Sequence, residues 1–98
     1  METINVNGKM YRSVEQGKRI VLVVDRGWVF AGDVEERDGR IYLYRAVWPM
    51  RWEGIGFDGL LENPKSPKVC MKSLGSRVVD VPAECELFRV AVDDDWGL

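Results

Sequence analysis

The chain has no histidine and only two cysteines in its 98 residues. Without histidine there is no Ser-His-Asp or Cys-His nucleophile system, no imidazole general base and no histidine metal site. Cys70 and Cys85, with fourteen residues between them, form neither a disulfide framework nor a zinc signature. They are expected to behave as small hydrophobes inside strands. No apolar run approaches the ~20 residues that would span a membrane. The longest, Ile20 to Val24, has the length of a strand. The first ten residues, METINVNGKM, lack the basic region and apolar stretch of a secretory signal, so the cytoplasm is the expected location. Basic runs are also missing, the longest being Lys18-Arg19. Nucleic-acid binding needs a concentrated basic face, and is therefore disfavoured.

What is present suits one soluble globular domain over residues 1–98: 46% of the residues are hydrophobic and 31% charged, a mixture typical of folded domains. The net charge of −2 is unevenly placed. Residues 1–52 carry nine basic against seven acidic side chains, and residues 53–98 five against nine, with Asp93, Asp94 and Asp95 in a row. The tail, 93–98, is expected to be flexible.

Period two dominates the pattern. Residues 3–12 read as a hairpin around Asn7-Gly8, and Asp38-Gly39 marks a second type I′ turn. The run 19–25 has the composition of a central strand buried on both faces. In 28–36, Trp28, Phe30, Gly32 and Val34 share one face, with Val29, Ala31, Asp33 and Glu35 opposite. In 40–48 the same count puts Ile41, Leu43, Arg45 and Val47 together, and Tyr42, Tyr44, Ala46 and Trp48 on the other side. Residues 19–48 thus read as a three-stranded antiparallel meander. Pro49 ends the third strand or moves it to an edge. A short helix is expected at 57–63, with Asp58 as N-cap and Pro64 as its stop. Strands follow at 69–74, 77–81 and 85–92. The predicted fold is all-β and mainly antiparallel, a small barrel or compact sandwich of six to eight strands with one short helix.

The motifs that usually carry chemistry fail their context. Gly54-x-Gly56-x-x-Gly59 has the spelling of a dinucleotide fingerprint, but no strand leads directly into it and Pro64 cuts any helix after it. These glycines are expected to supply positive φ in a tight loop. Glu35-Glu36 and the terminal aspartates read as solvated charge, because adjacent strand residues point to opposite faces. Asp33 and Asp80, single acids within strands, are expected at edges. The serines have no partner base and no nucleophile elbow. A non-enzymatic protein follows, with no cofactor and no metal.

One cluster stands out. Arg45, Trp48, Met50, Arg51, Trp52 and Phe57 converge at the end of one strand and in the loop after it, with Trp28 and Tyr44 placed to join them across the sheet. Trp, Tyr and Arg dominate binding hot spots. The competing reading is packing alone, with Trp48, Trp52 and Phe57 plugging one end of a small barrel. Arg45, on a face otherwise apolar, must snorkel, pair with an acid such as Glu53, or hold an anion.

The stretch DRGWVFAGDVEERDGRIYLYRAVW, then RWEGIGFDGLLENP and VVDVPAECELFRV, resembles a family of small phage and prophage proteins of unknown function over residues 19–92. Gly27, Gly32, Arg45, Trp52, Gly54, Leu60 and Pro82 carry the likeness. Where that family has a small polar residue and a histidine near its first turn, this chain has Trp28 and Phe30. The resemblance implies a phage-encoded accessory protein and brings no catalytic residue with it. Three functions are open at this point: binding of a host or phage protein, binding of a small nucleotide-like anion, and, as the weakest, stacking of single-stranded nucleic acid. Homodimerisation through exposed sheet edges is a further expectation.

Overall fold

The computed structural model describes residues 18–98. The hairpin expected around Asn7-Gly8 lies outside them. Six strands form one antiparallel sheet: β1 (Lys18–Val24), β2 (Trp28–Arg37), β3 (Arg40–Trp52), β4 (Val69–Ser73), β5 (Val79–Pro82) and β6 (Glu86–Ala91). One helix, α1 (Gly56–Glu62), joins β3 to β4. The order is β4-β3-β2-β1-β6, with β5 also on β3. The terminal strands β4 and β6 do not pair, so the sheet stays open and the arrangement is a compact sandwich, not a barrel. Among the described residues no helix is long and apolar enough to cross a membrane.

The meander is built as its turns dictate. Asp38 and Gly39 both take positive φ, +55° and +75°, as a type I′ turn requires. Arg26 and Gly27 do so at the first turn, which pairs Val24 with Trp28 and, further along, Arg19 with Asp33. Long β3 is the common strand: its first residues pair with β2 and β5, and its last with β4. Pro49 does not end it. It faces Met71 of β4 at a bulge, beyond the last β2 pair (Ala31 with Val47), where no β2 residue awaits an amide hydrogen.

The sheet is buried on both sides. On the side we call the β5 face, Ile20, Leu22, Val24, Val34, Ile41, Leu43 and Ala46 pack with Val79, Val81, Ala83 and Cys85. On the helix face, Val21, Val23, Val29, Ala31 and Val47 pack against Leu60 of α1 and Trp96 of the tail. β1 is buried without a break from Arg19 to Val24 and so serves both cores, as a central strand should.

Two expectations fail here for identifiable reasons. A bulge opposite Gly32 places Arg45 and Ala46 against one β2 residue, and Arg45 takes φ +48°. The alternation therefore flips half-way along β3. Ala46 joins Leu43 on the β5 face, and Val47 crosses to the helix face. The other concerns α1, which starts at Gly56 behind Ile55 with no side-chain cap, leaving Asp58 in its first turn. There its charge favours the helix dipole without acting as the cap.

Gly32 permits the bulge. A Cβ there would stand 2.8 Å from Leu43 Cβ and 2.9 Å from the Tyr44 carbonyl oxygen. Gly32→Ala is expected to cost about 1–3 kcal/mol through this overpacking, read as a lower midpoint in urea at unchanged slope. An unchanged midpoint would mean that the bulge can relax.

Candidate binding surface

Trp28 opens β2 immediately after the left-handed Arg26-Gly27 pair, and half of it is exposed to solvent. Its ring lies nearly parallel to Phe30, with centroids 6.3 Å apart. Trp48 closes the group, 5.7 Å from Trp28 and 6.4 Å from Phe30. Period two puts Trp28 and Phe30 on one face of β2, and the Arg45 bulge brings Trp48 to the same side. Beyond Ala31 and Val47 the two strands part. A cleft of about 170 Å³ opens there, lined by Arg26 and Gly27 of the turn, Trp28 and Val29 of β2, and Trp48, Pro49, Met50 and Trp52 of β3. Met50, in the second bulge, is 40% exposed. Lys72 of β4 lies directly across from Trp48 and is exposed. The patch thus combines a half-exposed indole, a thioether and flanking cations.

The other predicted residues lie elsewhere. Trp52 packs on Phe57 at 6.2 Å, and Phe57 meets Phe88 edge-on at 6.0 Å. All three lie towards the helix face, where Trp52 and Phe57 pack against the core. For these two the packing reading holds, although Trp52 also borders the cleft.

Tyr44 and Arg45 belong to a charged clasp at the far end of the bulge. The Tyr44 hydroxyl donates to Glu35 at 2.7 Å. Arg45 donates through Nε and Nη2 to both Asp33 carboxylate oxygens, at 2.6 and 3.1 Å, and to the Asp94 carbonyl at 2.9 Å. Its partner is therefore Asp33 and not Glu53. Asp33 in turn is no edge residue, for it pairs on both sides within the sheet. Opposite it, fully buried Arg19 donates to Asp33 Oδ1 at 3.2 Å and, through Nε, to the Trp96 carbonyl at 2.7 Å. One Arg19 nitrogen, Nη2, has no partner among the described residues. Burial lowers the affinity of Arg19 for its proton, and Asp33 offsets part of that effect. Burial would raise the Asp33 carboxyl, but hydrogen bonds from Arg45 and Arg19 outweigh it and hold the group below the usual carboxylate range. A carboxylate bound by two guanidiniums is a poor proton acceptor for a reaction. It is well suited to tying elements together.

The clasp also anchors the tail. Trp96 is buried, and its indole nitrogen donates to the Leu61 carbonyl at 2.9 Å. Within the segment 93–98, Trp96 seats in the helix-face core while Asp93, Asp94, Asp95 and Leu98 stay exposed.

Arg51 lines a separate, larger cleft of about 510 Å³ with Glu53, Gly54, Pro67, Lys68, Val69 and Cys70. Here Gly54 and Gly56 take φ +78° and +71°, as expected for a tight loop. Gly59 is helical and packs against Ile55. Cys70 lies in β4 and Cys85 in a 3-10 turn before β6; both are half-buried thiols.

The eight predicted residues thus divide among four places. Trp28, Trp48 and Met50, bordered by Trp52, form the aromatic patch. Tyr44 and Arg45 belong to the clasp, and Arg51 to the larger cleft, while Phe57 is a packing residue. Sequence reasoning missed Phe30, although period two already placed it beside Trp28. It also missed Arg19 and Lys72, whose roles depend on cross-strand register. Comparison of the chain with family models, curated proteins and solved structures gives no match.

Proposed function

We propose that this chain is a non-enzymatic binding protein that holds a protein partner through the Trp28–Trp48–Met50 patch. The carrying observation is the half-exposed indole of Trp28, stacked on Phe30 and tilted against Trp48 beside exposed Met50. A large rigid aromatic held in place by its neighbours, next to an adaptable thioether, is the composition of a protein hot spot. Arg26 and Lys72 flank the patch, which favours an apolar partner segment with acidic neighbours. The resemblance over residues 19–92 supports a phage or prophage accessory role in the cytoplasm of a bacterial host, with a host or phage protein as partner.

The test is photo-crosslinking from position 50 in cells that produce the protein, compared between wild type and Trp28→Ser. Trp28 is half exposed, so the variant should fold and melt within a few degrees of wild type, as surface substitutions usually do. One crosslinked partner should appear with wild type and be lost with Trp28→Ser. A partner retained equally by both would sink the assignment. Trp52→Ala would be a poor probe, because Trp52 packs on Phe57 and the helix-face core.

A further inference from the structure

We propose that the cleft between Arg51 and Lys68 is a binding site for a small organic phosphate. Its residues differ from those of the partner surface, and it stands or falls independently of that reading. At about 510 Å³ the cleft has the size of a small-molecule site. Its charge is the deciding feature. Arg19, Arg37, Arg40, Arg45 and Arg89 each form an ion pair with a carboxylate. Among the described residues Arg51 and Lys68 form none, and of the seven cations there without an ion pair these two line the same cleft. Residues 63–79 sharpen the contrast, with Lys65, Lys68, Lys72 and Arg77 and no acidic residue.

The positions follow from register. Arg51 faces Cys70 across the β3–β4 ladder, beyond the bulge at Pro49. Val69 and Met71 turn to the helix-face core, which leaves Cys70 on the other side of β4, and Lys68, in the turn just before the strand, lines the same cleft. Lys68 is held before any ligand arrives. Its amide donates to Ser66 Oγ at 3.1 Å, Val69 N–H donates to the Ser66 carbonyl at 2.9 Å, and Pro67 stiffens the turn. Where a Cβ would stand on Gly54, no atom lies within 4 Å, so the rim is open.

Two cations, one of them a planar guanidinium, match a phosphate monoester that carries nearly two negative charges. Glu53 also lines the cleft, and its carboxylate is available as an acceptor for donors on the ligand's body. The ligand class is therefore a phosphate monoester whose body bears hydroxyl or amino groups. A bare inorganic ion would leave most of the cleft unused.

Cys70 provides the readout. Alkylation by iodoacetamide, which is uncharged, is followed by peptide mass spectrometry with Cys85 as internal reference. AMP at about ten times its dissociation constant should slow Cys70 roughly tenfold, since only the free site reacts, and leave Cys85 unchanged. Adenosine should not protect, and Arg51→Gln with Lys68→Gln should abolish protection by AMP. Both side chains are exposed, so the double variant should keep its melting temperature. Absence of AMP protection, equal protection by adenosine, or protection that survives in the double variant would overturn the proposal. If Cys70 alkylates too slowly to follow, the amide NMR signals of Gly54 and Lys68 decide: AMP must shift them in wild type and leave them in place in the double variant.

Discussion

Asp33→Ala is expected to lower the melting temperature by more than about 12 °C or to prevent folding. Removing one partner of a buried ion pair costs roughly 3–5 kcal/mol, because the surviving charge is left without compensation. For a domain of this size each kcal/mol shifts the melting point by roughly 4–8 °C. The survivor here is Arg19, fully buried, with one nitrogen already lacking a partner among the described residues. Arg45 would lose both its carboxylate bonds, which help to hold its left-handed backbone. Asp33→Asn keeps an acceptor for Arg19 and should lose distinctly less. If Asp33→Ala melts within a few degrees of wild type, the Trp96 carbonyl is sufficient for Arg19 and the clasp is not central. The same residue predicts acid sensitivity. Its carboxyl titrates below the ordinary range in the folded state. The stabilisation is therefore complete above the unfolded-chain value of about 3.9, and is lost as the pH falls through the lower folded value. Urea midpoints measured from pH 6 down to 2 should fall in that window for wild type and much less for Asp33→Asn. Glu86, lowered by its bonds to Arg89, adds a contribution of the same sign.

Trp96→Ala should be comparably damaging, at about 3–5 kcal/mol for a large buried aromatic. The indole fills the helix-face core beside Val21, Val47 and Leu60, and its nitrogen serves the Leu61 carbonyl. Trp96→Phe keeps much of the area and loses only the hydrogen bond, so it should cost less. The Trp96 backbone also accepts from Arg19. Loosening the tail and removing Asp33 therefore affect the same guanidinium. In a double-mutant cycle the two losses should fall short of their sum by 0.5 kcal/mol or more, the signature of shared partners. Strict additivity would show that the tail and the Asp33 pair act separately.

The sheet's outline was legible because its turns announce themselves. Asp38-Gly39 and Arg26-Gly27 determine the pairing of β1, β2 and β3, and the apolar run at 19–25 marks the central strand. Even the Arg19–Asp33 pair follows from the first turn, since Val24 opposite Trp28 requires Arg19 opposite Asp33. Along β3 the reading failed, because a bulge depends on the partner strand. Arg45 is not a residue that advertises a left-handed conformation, and it is Gly32 across the ladder that makes room. That one extra residue redistributes the candidate site, sending Trp48 to the aromatic patch and Arg45 to the clasp. The seating of Trp96 was not legible for a different reason. DDDWGL has the composition of a solvated end, and nothing local reveals that Trp96 finds a core and two hydrogen-bond partners far away in the chain.

The bond from Arg19 to Trp96 joins residues 77 positions apart. The two hairpins around Asp25–Gly27 and Asp38-Gly39 are local and can zip within microseconds. Pairing of β1 with β6 and seating of the tryptophan must first close a loop of nearly the whole described chain, at an entropic cost the hairpins never meet. The tail is thus a late-forming seal over an early meander. By the same ordering it should be among the first units to open: hydrogen exchange at Trp96 should run ahead of exchange at Val21 and Leu22, and proteolysis should begin where the seal lifts.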